Sequence, residues 1–343
     1  MRRTVLATLA ALTAIGLLPD AAAQSNTFTV DCNRGQRIAT ALELGDFRRP
    51  LVVNVRGTCR EFVTITRANV TLRGDPTAEI VAPNQLGDLV TVSADRVTLE
   101  NLTLTGGLTG LSQNAPTFVA RNVVIQDTGD IGVRVRVGDA RLIGCTVQRA
   151  GGVGVSVVRG GSVVLSGGSQ VLDSAKAGIS AAGNSLVNVV GSTVTGSGEQ
   201  GVLLMANSQA TIGTGSTISH NELIGVQVQT NSQVTISDST ISSNGFRGIV
   251  LSQGSQGQVS GSTVSSNGAN GITVESGSHA SLFNNTIIAN GTDASTSEGA
   301  GVMVASADAE FVDNTISNHP GDGVWAERAR IDWSGGSVTG NGG

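Results

Sequence analysis

The sequence contains no tyrosine, a single lysine and few charged residues of either sign. Among its 343 residues, 3% are aromatic, 14% are charged and 6 are proline. Such a chain offers neither a basic stripe nor interleaved aromatic residues, so nucleic acid is not expected as a partner. Beyond residue 23, no apolar run approaches the roughly 18 residues of a membrane-spanning helix, so no membrane insertion is expected.

Metal-ligating residues are also sparse. His220, His279 and His319 are far apart in the sequence and have no Cys or His partner at ligand spacing, so no zinc site is predicted. Aspartate residues are scattered through the C-terminal half without a local ligand set. We therefore expect no cofactor, with weak Ca²⁺ binding by these aspartates as the alternative.

Glycine, in contrast, is abundant and regularly placed. The chain has 47 glycines, and nine of them begin a pattern of Gly, an aliphatic residue, a variable residue and usually another aliphatic residue. The successive gaps are 22, 24, 23, 24, 23, 23, 30 and 22 residues, and the pattern begins at Gly132, Gly154, Gly178, Gly201, Gly225, Gly248, Gly271, Gly301 and Gly323. Such a period predicts one supersecondary unit stacked on copies of itself.

The repeat at 225–247 shows how one unit folds. It contains three short runs with alternating apolar and polar residues, "VQVQ", "QVTIS" and "STIS", separated by Asn, Ser, Asp and Gly. Three strands per turn predict an all-β fold, a three-sided right-handed parallel β-helix. The residues expected to point inward in this repeat are Val226, Val228, Val234, Ile236 and Ile241.

Stacking of the repeats predicts columns of identical positions. The residues after the repeated glycines should form one buried aliphatic column, made of Val133, Val155, Ile179, Val202, Val226, Ile249, Ile272, Val302 and Val324. A second column of asparagines closes the third run, at Asn221, Asn244, Asn267, Asn290, Asn318 and Asn341. Side-chain amides bonded from turn to turn give this column a structural role.

The N-terminal residues divide into two further segments. Residues 1–23 have the positive, apolar and A-x-A regions of a signal peptide, with cleavage expected before Gln24. Residues 24–49 should form an N-terminal cap, followed by the β-helix over 50–343. An amphipathic helix over 34–44 would cover the first turn, with Asn33 as its N-cap and Gln36 as the third-position partner.

Export permits disulfide formation, and the three cysteines differ in position. Cys32 and Cys59 flank the N-terminal segment and are predicted to form a disulfide. Cys145 replaces the Ser, Thr or Asn of other repeats, so we interpret it as a small buried side chain rather than a reactive thiol. We expect the protein to be secreted, periplasmic or extracellular.

Several stretches resemble a known superfamily. The segment "STISSNGFRGIVL", its copies "STVSSNGANGITV" and "NTISNHPGDGVWA", and the opening "VRGTCREFVTITRANVTLRGD" resemble the secreted right-handed parallel β-helix proteins of the pectin-lyase-like superfamily. The resemblance covers nearly the whole mature chain. It implies the fold, whereas the superfamily includes lyases, hydrolases, epimerases, esterases and adhesins.

Candidate functional residues are found on the outward positions of the strand that follows each repeated glycine. The catalytic candidates are Lys176, Arg134, Arg136 and Glu199, and the candidate substrate-binding residues are Asp130, Gln227 and Gln229. Lys176 and Glu199 have the same offset in consecutive repeats, so we expect them to approach each other. A hydrolase of this superfamily needs a carboxylate pair, but Trp325 stands where the second acid after Asp322 would be expected, and no Asp pair follows.

Two functional interpretations follow. In the first, the protein binds acidic, uronate-containing polysaccharide, and its reaction is lyase-like if it is catalytic. Net charges of +3 over 24–176 and −9 over 177–343 favour attraction of an anionic glycan to the N-terminal half. The alternative is a non-catalytic structural or adhesive rod. The uncovered C-terminal turn at 323–343 is expected either to fray or to self-associate with a second copy.

Overall fold

Each turn of the chain contributes three short strands, and the turns stack in parallel into a right-handed β-helix of about 13 turns. The computed structural model describes residues 25–293 and 298–342. The predicted signal peptide lies outside the described residues. Within those residues, no helix has the length and apolar character needed to cross a bilayer.

The first strand of each turn belongs to a 12-stranded parallel sheet, called the front sheet below. Its strands follow the repeated glycines and are separated by about 4.8 Å. They are β3 (Val63–Ile65), β5 (Asp88–Val92), β7 (Thr109–Gln113), β10 (Ile131–Val135), β13 (Val155–Val158), β16 (Ile179–Ala182), β19 (Val202–Met205), β22 (Val226–Val228), β25 (Ile249–Leu251), β28 (Ile272–Glu275), β31 (Val302–Ala305) and β34 (Val324–Glu327).

The other two strands of each turn form a second and a third stack of strands. These two stacks make up one 24-stranded sheet, because three long strands at Leu51–Arg60, Val70–Val81 and Val97–Thr105 run through both. The second stack contains β1 (Asn26–Asp31), β2 (Leu51–Arg60), β4 (Val70–Val81), β6 (Val97–Thr105), β8 (Thr117–Arg121), β11 (Asp139–Ile143), β14 (Ser162–Ser166), β17 (Leu186–Val190), β20 (Gln209–Gly213), β23 (Gln233–Ser237), β26 (Gln256–Ser260), β29 (His279–Phe283), β32 (Asp308–Val312) and β35 (Arg330–Ser334). The third contains β9 (Val124–Gln126), β12 (Thr146–Gln148), β15 (Gln170–Leu172), β18 (Thr193–Thr195), β21 (Thr217–Ser219), β24 (Thr240–Ser242), β27 (Thr263–Ser265), β30 (Thr286–Ile288), β33 (Thr315–Ser317) and β36 (Ser337–Thr339).

The register of the predicted aliphatic column is confirmed at every step, and all its members are buried except the half-buried Val324. Val133 is the register partner of Val155, and the same register continues without a slip to Val302 and Val324. The five residues expected inside the repeat at 225–247 are all buried. Each such side chain contributes roughly 1.5–3 kcal/mol by leaving water, so the columns form a continuous dry core.

The repeated glycines are required by close packing where the third stack turns into the front sheet. A Cβ on Gly225 would lie 2.7 Å from the carbonyl oxygen of Gly248, 2.7 Å from the Asn244 amide nitrogen and 2.8 Å from Ile241 Cγ2. The other glycines of the pattern meet the corresponding atoms of their own neighbours. A side chain at this position would therefore push successive turns apart.

The asparagine column is confirmed from Asn221 to Asn290, where buried amides bond between turns. Asn221 Nδ2 donates to Asn244 Oδ1 at 2.9 Å, and Asn267 Nδ2 donates to Asn290 Oδ1 at 2.8 Å. The prediction of Asn318 as the next member is wrong. Asn318 adopts a φ of 61°, and the buried His319 takes the ladder position instead.

The ring of His319 replaces an asparagine amide in this ladder. Its Nδ1 accepts a hydrogen bond from the Asn290 backbone N–H at 3.1 Å, and its Nε2 lies 3.1 Å from the Ile287 carbonyl oxygen. The neutral Nε2–H tautomer satisfies both contacts. Burial lowers the pKa of His319, because the charged ring would lose its hydration.

The other two corners contain ladders of their own. At the corner between the front sheet and the second stack, the backbone N–H groups of four serines donate to the serine Oγ of the next turn, as Ser208 N does to Ser232 Oγ at 3.2 Å. The four donors are Ser185, Ser208, Ser232 and Ser255. Cys145 belongs to the corner between the second and third stacks, where its N–H donates to Ser169 Oγ at 3.1 Å. It is buried, and burial raises the pKa of its thiol, as expected for a structural residue.

The N-terminal cap differs from its predicted form. A 3₁₀ turn over Cys32–Arg34 is followed by Gly35 at a φ of 78°, and the α-helix α1 covers only Ile38–Leu42. The prediction of Asn33 as N-cap is wrong, because the Glu61 carboxylate accepts from the backbone N–H of Ile38 at 2.8 Å. Gln36 Oε1 instead accepts from Asp31 N.

The stacking of turns also begins earlier than predicted. Strand β1 pairs in parallel with β2, so the coil starts at Asn26 rather than near Pro50. Cys32 and Cys59, at the ends of this first contact, have their Sγ atoms 1.89 Å apart in a disulfide. The β-helix and its N-terminal cap therefore share one continuous ladder.

The glycine column predicts the effect of a single added methyl group. Gly225→Ala should lower the free energy of unfolding by about 1–3 kcal/mol, because the methyl group has no room between successive turns. Gly87→Ala is the matched control, since its Cβ would meet only the Phe62 ring at an ordinary 3.5 Å. Equal urea midpoints for the two variants would contradict this explanation of the repeat.

The lowered pKa of His319 predicts a pH-dependent stability. In the unfolded state His319 binds a proton near pH 6.5, above its pKa in the folded state. The free energy of unfolding should therefore be highest above that pH and should fall on acidification. The slope should not exceed about 1.4 kcal/mol per pH unit between pH 7.5 and 5.5. His319→Asn should remove this slope and keep the ladder, whereas His279→Asn, on an exposed residue, should retain it. Urea unfolding across this range measures the slope, and an unchanged slope in His319→Asn would refute the assignment.

Candidate functional site

The predicted outward residues do lie on one face, the outer surface of the front sheet. Arg134 is the register partner of Ser156, and the same column continues through Ser180 and Leu203 to Gln227. From Arg134 to Gln227 there are four steps between turns, or about 19 Å along the axis. The candidates therefore form an extended strip rather than a compact cluster.

Arg134 lies between two carboxylates at the start of this strip. Its guanidinium nitrogens are 3.9 Å from Asp88 Oδ1 and 3.9 Å from Asp130 Oδ2, and its side chain is 19% exposed. Asp88 was missed in the sequence analysis because the early turns are irregular. The Arg134 column itself continues through Ser112 to Thr91, and Asp88 lies three residues before Thr91 on the same strand.

Arg136 and the two glutamines make weaker polar contacts. Arg136 Nη1 lies 3.4 Å from Ser112 Oγ, and within the described residues it has no carboxylate partner. Gln227 Nε2 donates to Gln229 Oε1 at 3.2 Å. Of the two arginines that this strand and its end place on the front face, Arg136 is thus the one whose charge is less compensated.

Lys176 and Glu199 occupy equivalent positions of successive turns but do not form the expected pair. Lys176 N donates to the Gly152 carbonyl, and the Glu199 carbonyl accepts from Leu223 N, which fixes their equivalent register. Lys176 is exposed and Glu199 is half-buried, and no ion pair joins them in the described part of the chain. Exposed side chains gain little from such a contact.

A concave site lies further along the same face. A cavity of about 380 Å³ is lined by Asn270, Glu298, Gly299, Ala300, Met303, Gly321, Asp322 and Trp325. Trp325 is 37% exposed, and Met303 is its register partner on the preceding strand. The groove thus combines an aromatic surface with two carboxylates.

Glu298 is held in this groove by a partly buried network. Arg247 approaches it with two nitrogens, and its Nε lies 2.6 Å from Glu298 Oε2. The buried Asn270 amide donates to Glu298 Oε2 at 3.1 Å and accepts from Ala300 N at 2.8 Å. Glu298 is therefore the second acid near Asp322 that the strand pattern lacked, and it comes from the longer 291–300 segment.

The longer gap between Gly271 and Gly301 contains the segment 291–300, which its sequence predicts to project beyond the regular coil at the edge of a groove. Its described residues 298–300 do line this cavity, whereas 294–297 lie outside the described residues. The only group of potential metal ligands found among the described residues is Cys32, Cys59 and Glu61. Its two sulfurs are bonded to each other, so the group does not form a metal site.

Comparisons with known proteins agree with the fold. The family described as right handed beta helix region matches residues 177–341. The A-module of mannuronan C-5 epimerase AlgE6 from Azotobacter vinelandii superposes with a TM-score of 0.60 at 15% identity, covering 88% of this chain and 91% of that module. The periplasmic alginate epimerase AlgG gives a TM-score of 0.57 at 14% identity, covering 92% of this chain and 84% of that protein.

No curated protein sequence matches the chain. At such low identities the structural similarity concerns the fold alone and transfers no residue role. Together, the family match over residues 177–341, the superpositions and the stacked parallel turns show that the chain has the right-handed parallel β-helix fold.

Proposed function

We propose that the chain is an exported protein that binds acidic, uronate-containing polysaccharide along the outer face of the front sheet. The observation that carries this proposal is the strip of aligned outward residues from Arg134 to Gln229, which follows the axis of the coil. A linear polymer can contact successive turns of such a strip. The predicted signal peptide supports export.

The charge of the strip selects the polymer. Arg136 and the exposed Lys176 present positive charge on the outer surface, whereas Arg134 is largely compensated by its two carboxylates. Residues 24–176 have a net charge of +3, which favours an anionic glycan over a neutral one. Two proteins of similar fold are named for acting on mannuronan and alginate, and this supports the choice of a uronate polymer.

Cleavage on this face would be a β-elimination. A base removes the proton from C5, next to the uronate carboxyl, while the bond from C4 to the glycosidic oxygen breaks and a double bond forms between C4 and C5. The departing oxygen takes a proton from water and becomes the hydroxyl of the new reducing end. Lys176 is the candidate base, and Arg134 and Arg136 are the candidates for stabilising the enolate. Glu199, on the next turn, is the second candidate proton acceptor. These catalytic roles remain predictions.

The alternative is a rod without catalysis. Polar, uncharged residues fill much of the strip, and Gln227 and Gln229 bond to each other rather than pointing to a common centre. An assay with uronate polymers separates the two alternatives. An increase in ultraviolet absorbance reports elimination, and an increase in reducing ends without absorbance reports hydrolysis. No change in either signal, with binding retained, favours a rod that binds the polymer without cleaving it.

Binding should depend on Arg136 and Lys176. Arg136→Ala and Lys176→Ala should each weaken binding of polygalacturonate and alginate by about three- to fivefold, the equivalent of about 1 kcal/mol per exposed contact. Their melting temperatures should be unchanged, and added salt should narrow the difference. Calorimetric titration gives the affinities. If the unmodified protein cleaves uronate polymers by elimination, Lys176→Ala should abolish that activity.

Arg141→Ala is the matched control, because Arg141 is exposed on β11 in the same turn but on the second stack. It should bind like the unmodified protein. Equal losses in Arg141→Ala and Arg136→Ala would mean that net charge, rather than the front sheet, attracts the polymer. Full affinity in the double variant of Arg136 and Lys176 would refute the assigned face.

A further inference from the structure

The groove at Trp325 differs in chemistry from the basic strip. It lies four turns beyond Gln227 on the same sheet, or about 19 Å along the axis. Gly299, Ala300 and Gly321 form part of its wall, and their small size leaves the face of Trp325 accessible from the groove. The C-terminal half that contains it has a net charge of −9.

The polar groups of the groove are mainly acceptors. Glu298 is engaged by Arg247 and Asn270, while the half-buried Asp322 carboxylate has no side-chain partner among the described residues. An ionised carboxylate accepts hydrogen bonds and donates none. A ligand for this groove must therefore supply hydrogen-bond donors. The groove has two carboxylates and one guanidinium, so a negatively charged ligand would be repelled.

The apolar groups define the rest of the ligand. The indole of Trp325 and the thioether of Met303 offer a flat apolar surface beside these acceptors. A pyranose ring has one face of C–H groups and a rim of hydroxyl donors, so it can cover the indole and donate to Asp322 at once. We propose that this groove binds a neutral pyranose sugar unit, with its ring on Trp325 and its hydroxyls on Asp322.

The sequence makes this proposal unusually direct to test. The chain has two tryptophans and no tyrosine, and Trp333 stacks on Phe311 at 4.7 Å on a different face. Trp333→Phe can keep that stacking and leaves Trp325 as the source of all tryptophan emission. The full-length Trp333→Phe variant is titrated with neutral oligosaccharides of glucose, galactose and mannose.

We expect at least one of these sugars to shift the Trp325 emission in a saturable manner and to reduce iodide quenching at least twofold. Asp322→Asn in the same background should weaken that sugar at least fivefold, because it removes the charged acceptor. Asp308→Asn, at an exposed aspartate on β32, is the matched control and should leave the affinity unchanged. Trp325→Ala should abolish calorimetric binding with little change in melting temperature.

Three results would overturn the proposal: no saturable response to any neutral sugar, equal affinity in Asp322→Asn, or equal protection of Trp325 by a uronate oligosaccharide. Its failure can be distinguished from failure of the proposed function. The uronate-binding variants lie at Arg136 and Lys176, eight and six turns from Trp325, and they are read by calorimetry with acidic polymers.

Discussion

The structure depends on how closely successive turns approach each other where the third stack meets the front sheet. At Gly225 the next turn's carbonyl oxygen and the Asn244 amide occupy the space that a side chain would need. With glycine there, the following aliphatic residue points inward and the preceding asparagine can bond along the axis. One steric requirement therefore fixes the spacing of both the core and the ladder.

This requirement explains how much of the fold could be predicted from the sequence. Glycine marks the same position in every regular turn, so counting from it located the strands, the aliphatic column and most of the ladder. Counting residue types failed at Asn318, because the position next to it, His319, faces the interior. The helix at 34–44 was also overestimated, since its cap is Glu61, a residue distant in sequence.

The candidate sites show where the period loses its predictive value. Arg134 and Arg136 were located correctly because their turn is regular, whereas the contact with Asp88 depends on the irregular turns before it. The 291–300 segment could be predicted to border a groove, but the position of Glu298 in it could not, because this segment breaks the 22 to 24 residue spacing. Counting from Gly323 locates Asp322 and Trp325. It does not locate Glu298, which the 291–300 insertion brings into the same groove.

The parallel stacking also limits how charge can be arranged on the outer face. Identical positions of successive turns are about 4.8 Å apart, where two like charges in water repel by roughly 1 kcal/mol. A charged residue such as Arg134 is accordingly followed in its column by the neutral Ser156 and Ser180. Charges on this face are therefore dispersed along the axis. Such an arrangement suits a long polymer that contacts many turns better than a small molecule that needs several charges at one point, unless an insertion such as 291–300 concentrates them.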